Sequence, residues 1–162
     1  MSDLILGVGD FAATRTAGIQ VKTFALGSCV AVMLLDPATR TVGMVHVALP
    51  DSAINAQKSR EKPGYFADTG IPALLNIMAG YGCTGNGRGM IVKLAGGASI
   101  MDDNETFNIG KRNQAAIKNI LRAQGLEVVA EDLGENYSRT VSISVDTGQV
   151  TIFCPGRGQW HI

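Results

Sequence analysis

The sequence predicts an α+β fold in layers, with largely antiparallel or mixed sheets flanked by helices. Strand-like segments outnumber helical ones along the 162 residues. Several sequential strands are joined by turns too short for a parallel crossover, which needs about a dozen residues or more. Hydrophobic residues at 46% against 17% charged indicate an ordered chain, read here as a single domain over residues 1–162.

Val21 to Leu26 and Cys29 to Leu35 read as strands separated by Gly27-Ser28. The second turns at Asp36-Pro37-Ala38-Thr39, with Pro at the favoured second turn position, into Val42 to Leu49. Asp51 to Gly64 is polar, with Lys58, Arg60, Glu61 and Lys62 and few apolar anchors, and reads as an exposed loop. A helix follows: Thr69 is a capping residue, Pro72 suits the first turn, and Ile71, Leu74, Leu75, Met78 and Tyr81 recur at helical spacing before Gly80 and Gly82. Met90 to Leu94 is a strand stopped by Gly96-Gly97. A second helix starts at Asn108, with Ile109, Ala116, Ile117, Ile120 and Leu121 on its apolar face and Gly125 as its stop. Glu127 to Asp132 is another strand. Val141, Ile143 and Val145 alternate with serines, turn at Asp146-Thr147-Gly148 and return through Val150 and Ile152. Residues 154–162 read as a flexible tail.

Composition bounds the function. Fourteen basic and fourteen acidic residues give a formal charge of zero, which removes the field that a nucleic-acid binder uses to attract its target. No apolar run approaches the roughly 20 residues of a membrane span, and Met1-Ser2-Asp3 is not a cationic signal-peptide start. Three cysteines that match no disulfide framework fit a reducing cytoplasm. Cys29, Cys83, Cys154, His46 and His161 contain no closely spaced ligand pair, so neither metal nor cofactor is expected.

The first hairpin suggests a site. With Pro37-Ala38 as the turn centre, opposed residue numbers sum to 75 and Cys29 faces His46. Directly opposed residues share a sheet face with Cβ atoms about 4.5–5.5 Å apart. An imidazole at that distance can draw the proton from a thiol, and an imidazolium stabilises the thiolate. The turn Gly27-Ser28 is placed to aim backbone N–H groups at a developing oxyanion. Against this stands core packing. Cysteine is among the most buried residue types, Cys29 abuts an apolar run and His46 sits between valines. The shared register brings the two readings level.

Thr23-Phe24-Ala25-Leu26-Gly27-Ser28-Cys29-Val30-Ala31-Val32, then Asp36-Pro37, then Gly43, His46 and Leu49-Pro50, resemble the CheD family of chemoreceptor glutamine deamidases. Tyr65 with Asp68, Ile71 to Leu75, Lys93 with Gly96-Gly97-Ala98, Ile109-Gly110 with Arg112-Asn113, and Ala130-Glu131-Asp132 with Gly134 and Arg139 follow in the family's order. The resemblance implies a fold like that of deamidating bacterial toxins, a layered β-sandwich with flanking helices. It implies Cys29 as nucleophile, His46 as base and Thr23 as the residue that orients the imidazole. The substrates implied are glutamines of methyl-accepting chemotaxis proteins, with glutamyl methyl esters as a second class and a CheC-like phosphatase as regulator. The alternative is a non-catalytic adaptor that binds such a phosphatase.

Three positions depart from the family pattern: Ala25 replaces a residue that is often Gly or Pro, Ala95 stands for Phe, and Glu135 for a second Gly. Other signals are set aside. Gly80 to Gly85 matches G-x-G-x-x-G but follows a predicted helix. Cys154 and His161 fall on the tail, where nothing holds catalytic geometry. Asp102, Asp103 and Glu105 adjoin a loop and read as solvated.

Overall fold

The computed structural model describes residues 2–100 and 108–162. Its strands are β1 (Ser2–Leu6), β2 (Phe11–Thr14), β3 (Ile19–Leu26), β4 (Val30–Asp36), β5 (Thr41–Val47), β6 (Ile91–Gly96), β7 (Val128–Leu133), β8 (Arg139–Ser144), β9 (Val150–Cys154) and β10 (Gly158–His161). Its α-helices are α1 (Ala56–Glu61), α2 (Ala67–Ala79) and α3 (Ile109–Ala123). One five-stranded sheet runs β1-β3-β8-β9-β10 and the other β2-β5-β4-β6-β7. Both are mixed, as predicted: β1 lies parallel to β3 and β6 parallel to β7, while the other neighbours are antiparallel.

The burial of β4 and β5 explains the layering. Val30 to Leu34 and Thr41 to Val47 are buried without alternation, which requires cover on both faces of the sheet. On one face Ala31, Met33, Val42 and Met44 pack against Val21, Val141, Ile143 and Ile152 of the first sheet. On the other, Val32, Leu34, Val45 and Val47 pack against Ile71, Leu74 and Met78 of α2 and Ile117 and Leu121 of α3. Gly43 permits this close approach, because a Cβ there would meet Met78 Sδ and Leu74 Cδ1 inside 3 Å. Among the described residues no helix covers the first sheet's outer face, and β8 alternates buried with half-buried residues.

The first hairpin is built differently from the expected two-residue turn. Asp36 pairs with Thr41, leaving four residues in the loop, and Ala31 rather than Cys29 opposes His46. The Asp36 carboxylate accepts from Ala38 N and Thr39 Oγ1, and Arg40 takes the left-handed conformation at φ 58°. This Asx-type turn makes the wider loop favourable. The slip is two residues, so Cys29, outside β4 but two places before Ala31, stays on the same side as His46.

Other elements depart from expectation. The Asp51 to Gly64 stretch remains mostly exposed but is helical in pieces: 3-10 turns at Ser52–Ile54 and Pro63–Tyr65 flank α1. Helix α2 starts at Ala67 with Pro72 inside it, and Thr69 donates its hydroxyl to the Pro63 carbonyl instead of capping. The expected flexible tail forms β10 against β9, held by a bond from Trp160 Nε1 to Asp132 Oδ2 at 2.7 Å. In that hairpin Cys154 pairs with Gly158 and His161 with Thr151, which puts Cys154 and His161 at opposite ends. The acidic residues Asp102, Asp103 and Glu105 lie outside the described residues.

Candidate active site

The site lies in the seam between the sheets. Thr23 on β3 and His46 on β5 are both buried among the apolar residues that join the layers. Thr23 Oγ1 stands 2.7 Å from His46 Nδ1 and also donates to the Leu6 carbonyl at 2.9 Å. A hydroxyl has one proton to give. With that proton on Leu6, the oxygen accepts from Nδ1–H, and the free lone pair of the neutral imidazole falls on Nε2. His46 Nε2 is buried and has no hydrogen-bond partner among the described residues.

The strand that delivers Thr23 breaks its register between Thr23 and Leu26. Ala25 there takes φ 52°, with its N–H donated to Thr140 Oγ1 at 3.1 Å. The bulge turns the chain into Gly27-Ser28-Cys29, whose three carbonyls are all fixed. Ala98 N donates to Gly27 O at 2.9 Å, Asn113 Nδ2 to Ser28 O at 3.0 Å and Gly97 N to Cys29 O at 2.8 Å. Gly96, at φ 118°, allows the backbones to meet, since a Cβ there would strike Cys29 O. Neither the Ser28 nor the Cys29 N–H donates in the described backbone pairs that hold this loop.

Asn113 was not among the expected site residues. It is fully buried and its amide also donates to Ala48 O at 3.0 Å, which ties the Cys29 loop to the end of the His46 strand. A signal was present, because Asn113 falls one helical turn from both Ile109 and Ile117, on the apolar face of α3, where a polar residue needs a partner.

Electrostatically the site is set for neutral partners. Burial pushes the Cys29 thiol above its ordinary value, with a smaller opposing pull from its own N–H. Burial also lowers His46 to about 4, while Asp10 raises it and Lys62 lowers it further. The resting pair is a thiol and an imidazole, in place of the thiolate and imidazolium that the sequence led one to expect. No cluster of metal-ligating side chains occurs among the described residues, and no helix among them is long and apolar enough to cross a membrane.

The family described as CheD chemotactic sensory transduction matches residues 48–153. A protein of Syntrophotalea carbinolica, named as a probable chemoreceptor glutamine deamidase CheD, is 57% identical over 162 residues and covers all of both chains. The chain belongs to the CheD family. Further CheD relatives include a probable chemoreceptor glutamine deamidase of Anaeromyxobacter dehalogenans, 43% identical over 94% of each chain. The chemoreceptor glutamine deamidase CheD of Thermotoga maritima is 37% identical over 96% of this chain and 94% of its own. The CheD resemblance read from the motifs around Cys29 and His46 is thereby borne out. The CheD family match begins at Ala48, beyond Thr23, Cys29 and His46, whereas the full-length Syntrophotalea alignment includes all three positions.

Proposed function

We propose that this CheD-family chain converts glutamine side chains of chemoreceptors to glutamate, with Cys29 as nucleophile, His46 as general base and acid, and Thr23 as the residue that orients the imidazole. The observation that carries this reading is the buried, unpartnered His46 Nε2, freed by the Thr23–Nδ1 bond on the side of the sheet that Cys29 shares. Cys29 Sγ attacks the glutamine side-chain carbonyl carbon as its proton passes to Nε2, and the oxyanion is met by N–H groups of the Gly27-Ser28-Cys29 loop. The C–N bond then breaks, and Nε2 returns the proton to the departing ammonia. Water, deprotonated by Nε2, cleaves the thioester to give glutamate and the free thiol. No cofactor enters any step.

A glutamyl methyl ester would reach the same thioester with methanol as the leaving group, so esterase activity follows from the same reading. A CheC-like phosphatase is the regulator that the family resemblance implies, and the exposed α1 region with Lys58 and Arg60 is the rim it would meet. A pure adaptor has no use for an imidazole held in one tautomer inside the seam.

Mass spectrometry of a receptor cytoplasmic segment incubated with the protein tests the reading. Conversion should vanish in Cys29→Ala and persist in Cys83→Ala and Cys154→Ala, since Cys83 bonds Thr39 and Cys154 faces Pro155 O. Turnover retained in Cys29→Ala overturns the mechanism.

A further inference from the structure

The neutral resting pair poses a physical problem. When the thiol gives up its proton, His46 must carry a positive charge in surroundings that disfavour it, and Thr23, a neutral hydroxyl already bonded to Leu6, contributes no charge to balance it. A carboxylate stands on the other flank of the histidine. β2 runs antiparallel to β5 with Phe11 opposite Val45, and one step earlier His46 N donates to Asp10 O at 3.0 Å while Gly9 N donates to His46 O at 2.8 Å. Asp10 lies two residues before Ala12, which packs into the seam. Its carboxylate is fixed: Oδ2 accepts from Gly7 N at 2.7 Å and Oδ1 pairs with Lys62 Nζ at 3.1 Å. Lys62 is itself placed by Gly9, against which its side chain lies.

We infer that Asp10 is a positioning residue for the deamidation. Its fixed carboxylate, on the residue just before β2 that pairs with His46, stabilises the imidazolium that forms as Cys29 attacks, and Lys62 moderates that effect. The inference rests on the Cys29–His46 reading and adds a charge to it. Among the described residues the groups around His46 can be named one by one. Asp10 and Lys62 approach from the β1–β2 turn and the end of α1, and both act on the histidine's charge, in opposite senses. Thr23 meets it from β3 and Cys29 lies ahead of β4. Tyr65 follows α1 with Lys58 over its ring at 5.0 Å. Helices α2 and α3 pack on the opposite face of the sheet. Asp10 itself is pulled up by burial, but the Gly7 N–H, Lys62 and His46 together hold it below the usual carboxylate value, so it is charged throughout the working range.

Two substitutions have opposite signs. Asp10→Asn keeps an oxygen for the Gly7 N–H and deletes the charge, which lowers the His46 pKa. Lys62→Met keeps a stem against Gly9 and raises it. Each shift should be roughly half a unit, or about threefold in proton affinity. The readouts are the imidazole titration of His46 by NMR and the rate of Cys29 carboxamidomethylation by iodoacetamide at pH 7, with His46→Ala as control. Slower labelling in Asp10→Asn, faster labelling in Lys62→Met and near cancellation in the double variant support the role. Equal slowing in both variants at every pH, or an unmoved His46 titration, overturns it. Labelling that ignores His46→Ala overturns the Cys29–His46 pair instead, so the two failures are distinct.

Discussion

At the scale of single residues, the decisive quantity is the cost of charge in the seam. His46 titrates at an ordinary 6.5 in the unfolded chain and at about 4 when folded. Between those values the unfolded state binds the extra proton, so stability rises with pH through the window, is fully present above 6.5 and is lost as pH falls toward 4. The contribution is on the order of 3 kcal/mol. Urea midpoints measured from pH 7 to pH 4 should therefore fall more steeply for the wild type than for His46→Gln, and parallel curves would show that the histidine is not held neutral. Two non-glycine residues carry backbone strain at the same scale. Ala25 and Glu135 have φ of 52° and 60°, the left-handed region where a side chain costs about 1 kcal/mol or more.

At the scale of elements, the β3–β4 loop is held from a distance by Asn113 of α3, whose amide donates to Ser28 O and Ala48 O. Asn113→Leu should leave Ser28 O and Ala48 O without a donor, destabilising the fold by about 2 kcal/mol. Activity should fall further than thermal unfolding accounts for, because the N–H groups beside Cys29 lose their support. Activity measured well below the melting transition checks this, and an unchanged kcat would remove Asn113 from the site's support. Legibility follows the same division. β4, β5, β8, β9, α2 and α3 could be read because each has a long apolar face, whereas the hairpin register slipped by two residues, so that Ala31 and not Cys29 opposes His46. Helix α1 buries nothing, so it has no periodicity to detect. β10 is short, begins at Gly158 just after Gly156, and its anchor is the bond from Trp160 to Asp132, which only the folded chain brings together. Asp10 was invisible for the same reason, since nothing in residues 1–20 fixes which strand β2 joins.

At the scale of the whole molecule, the two sheets are clasped at Asp132. This β7 carboxylate of the second sheet accepts from Arg139 Nε of β8 and Trp160 Nε1 of β10 in the first, both at 2.7 Å. Arg139 is fully buried and also donates to Gly96 O at 3.3 Å and Gly134 O at 2.9 Å. Asp132→Asn should strand that guanidinium and cost about 3 kcal/mol, with chemical denaturation as the measurement; a loss below 1 kcal/mol would mean that the carbonyls alone suffice for Arg139. The split placement of the parts has a further consequence for the order in which the protein becomes competent. Thr23, Cys29 and His46 all emerge early in synthesis, but Asn113 reaches back across 85 residues to Ser28 and 65 to Ala48, and Arg139 across 43 to Gly96. Such long loop closures come late in folding. A half-translated chain therefore displays an ordinary exposed thiol, and the burial that raises the Cys29 thiol is complete only when the second half docks, so a fall in thiol labelling of ribosome-bound nascent chains is a clock for the last stage of folding.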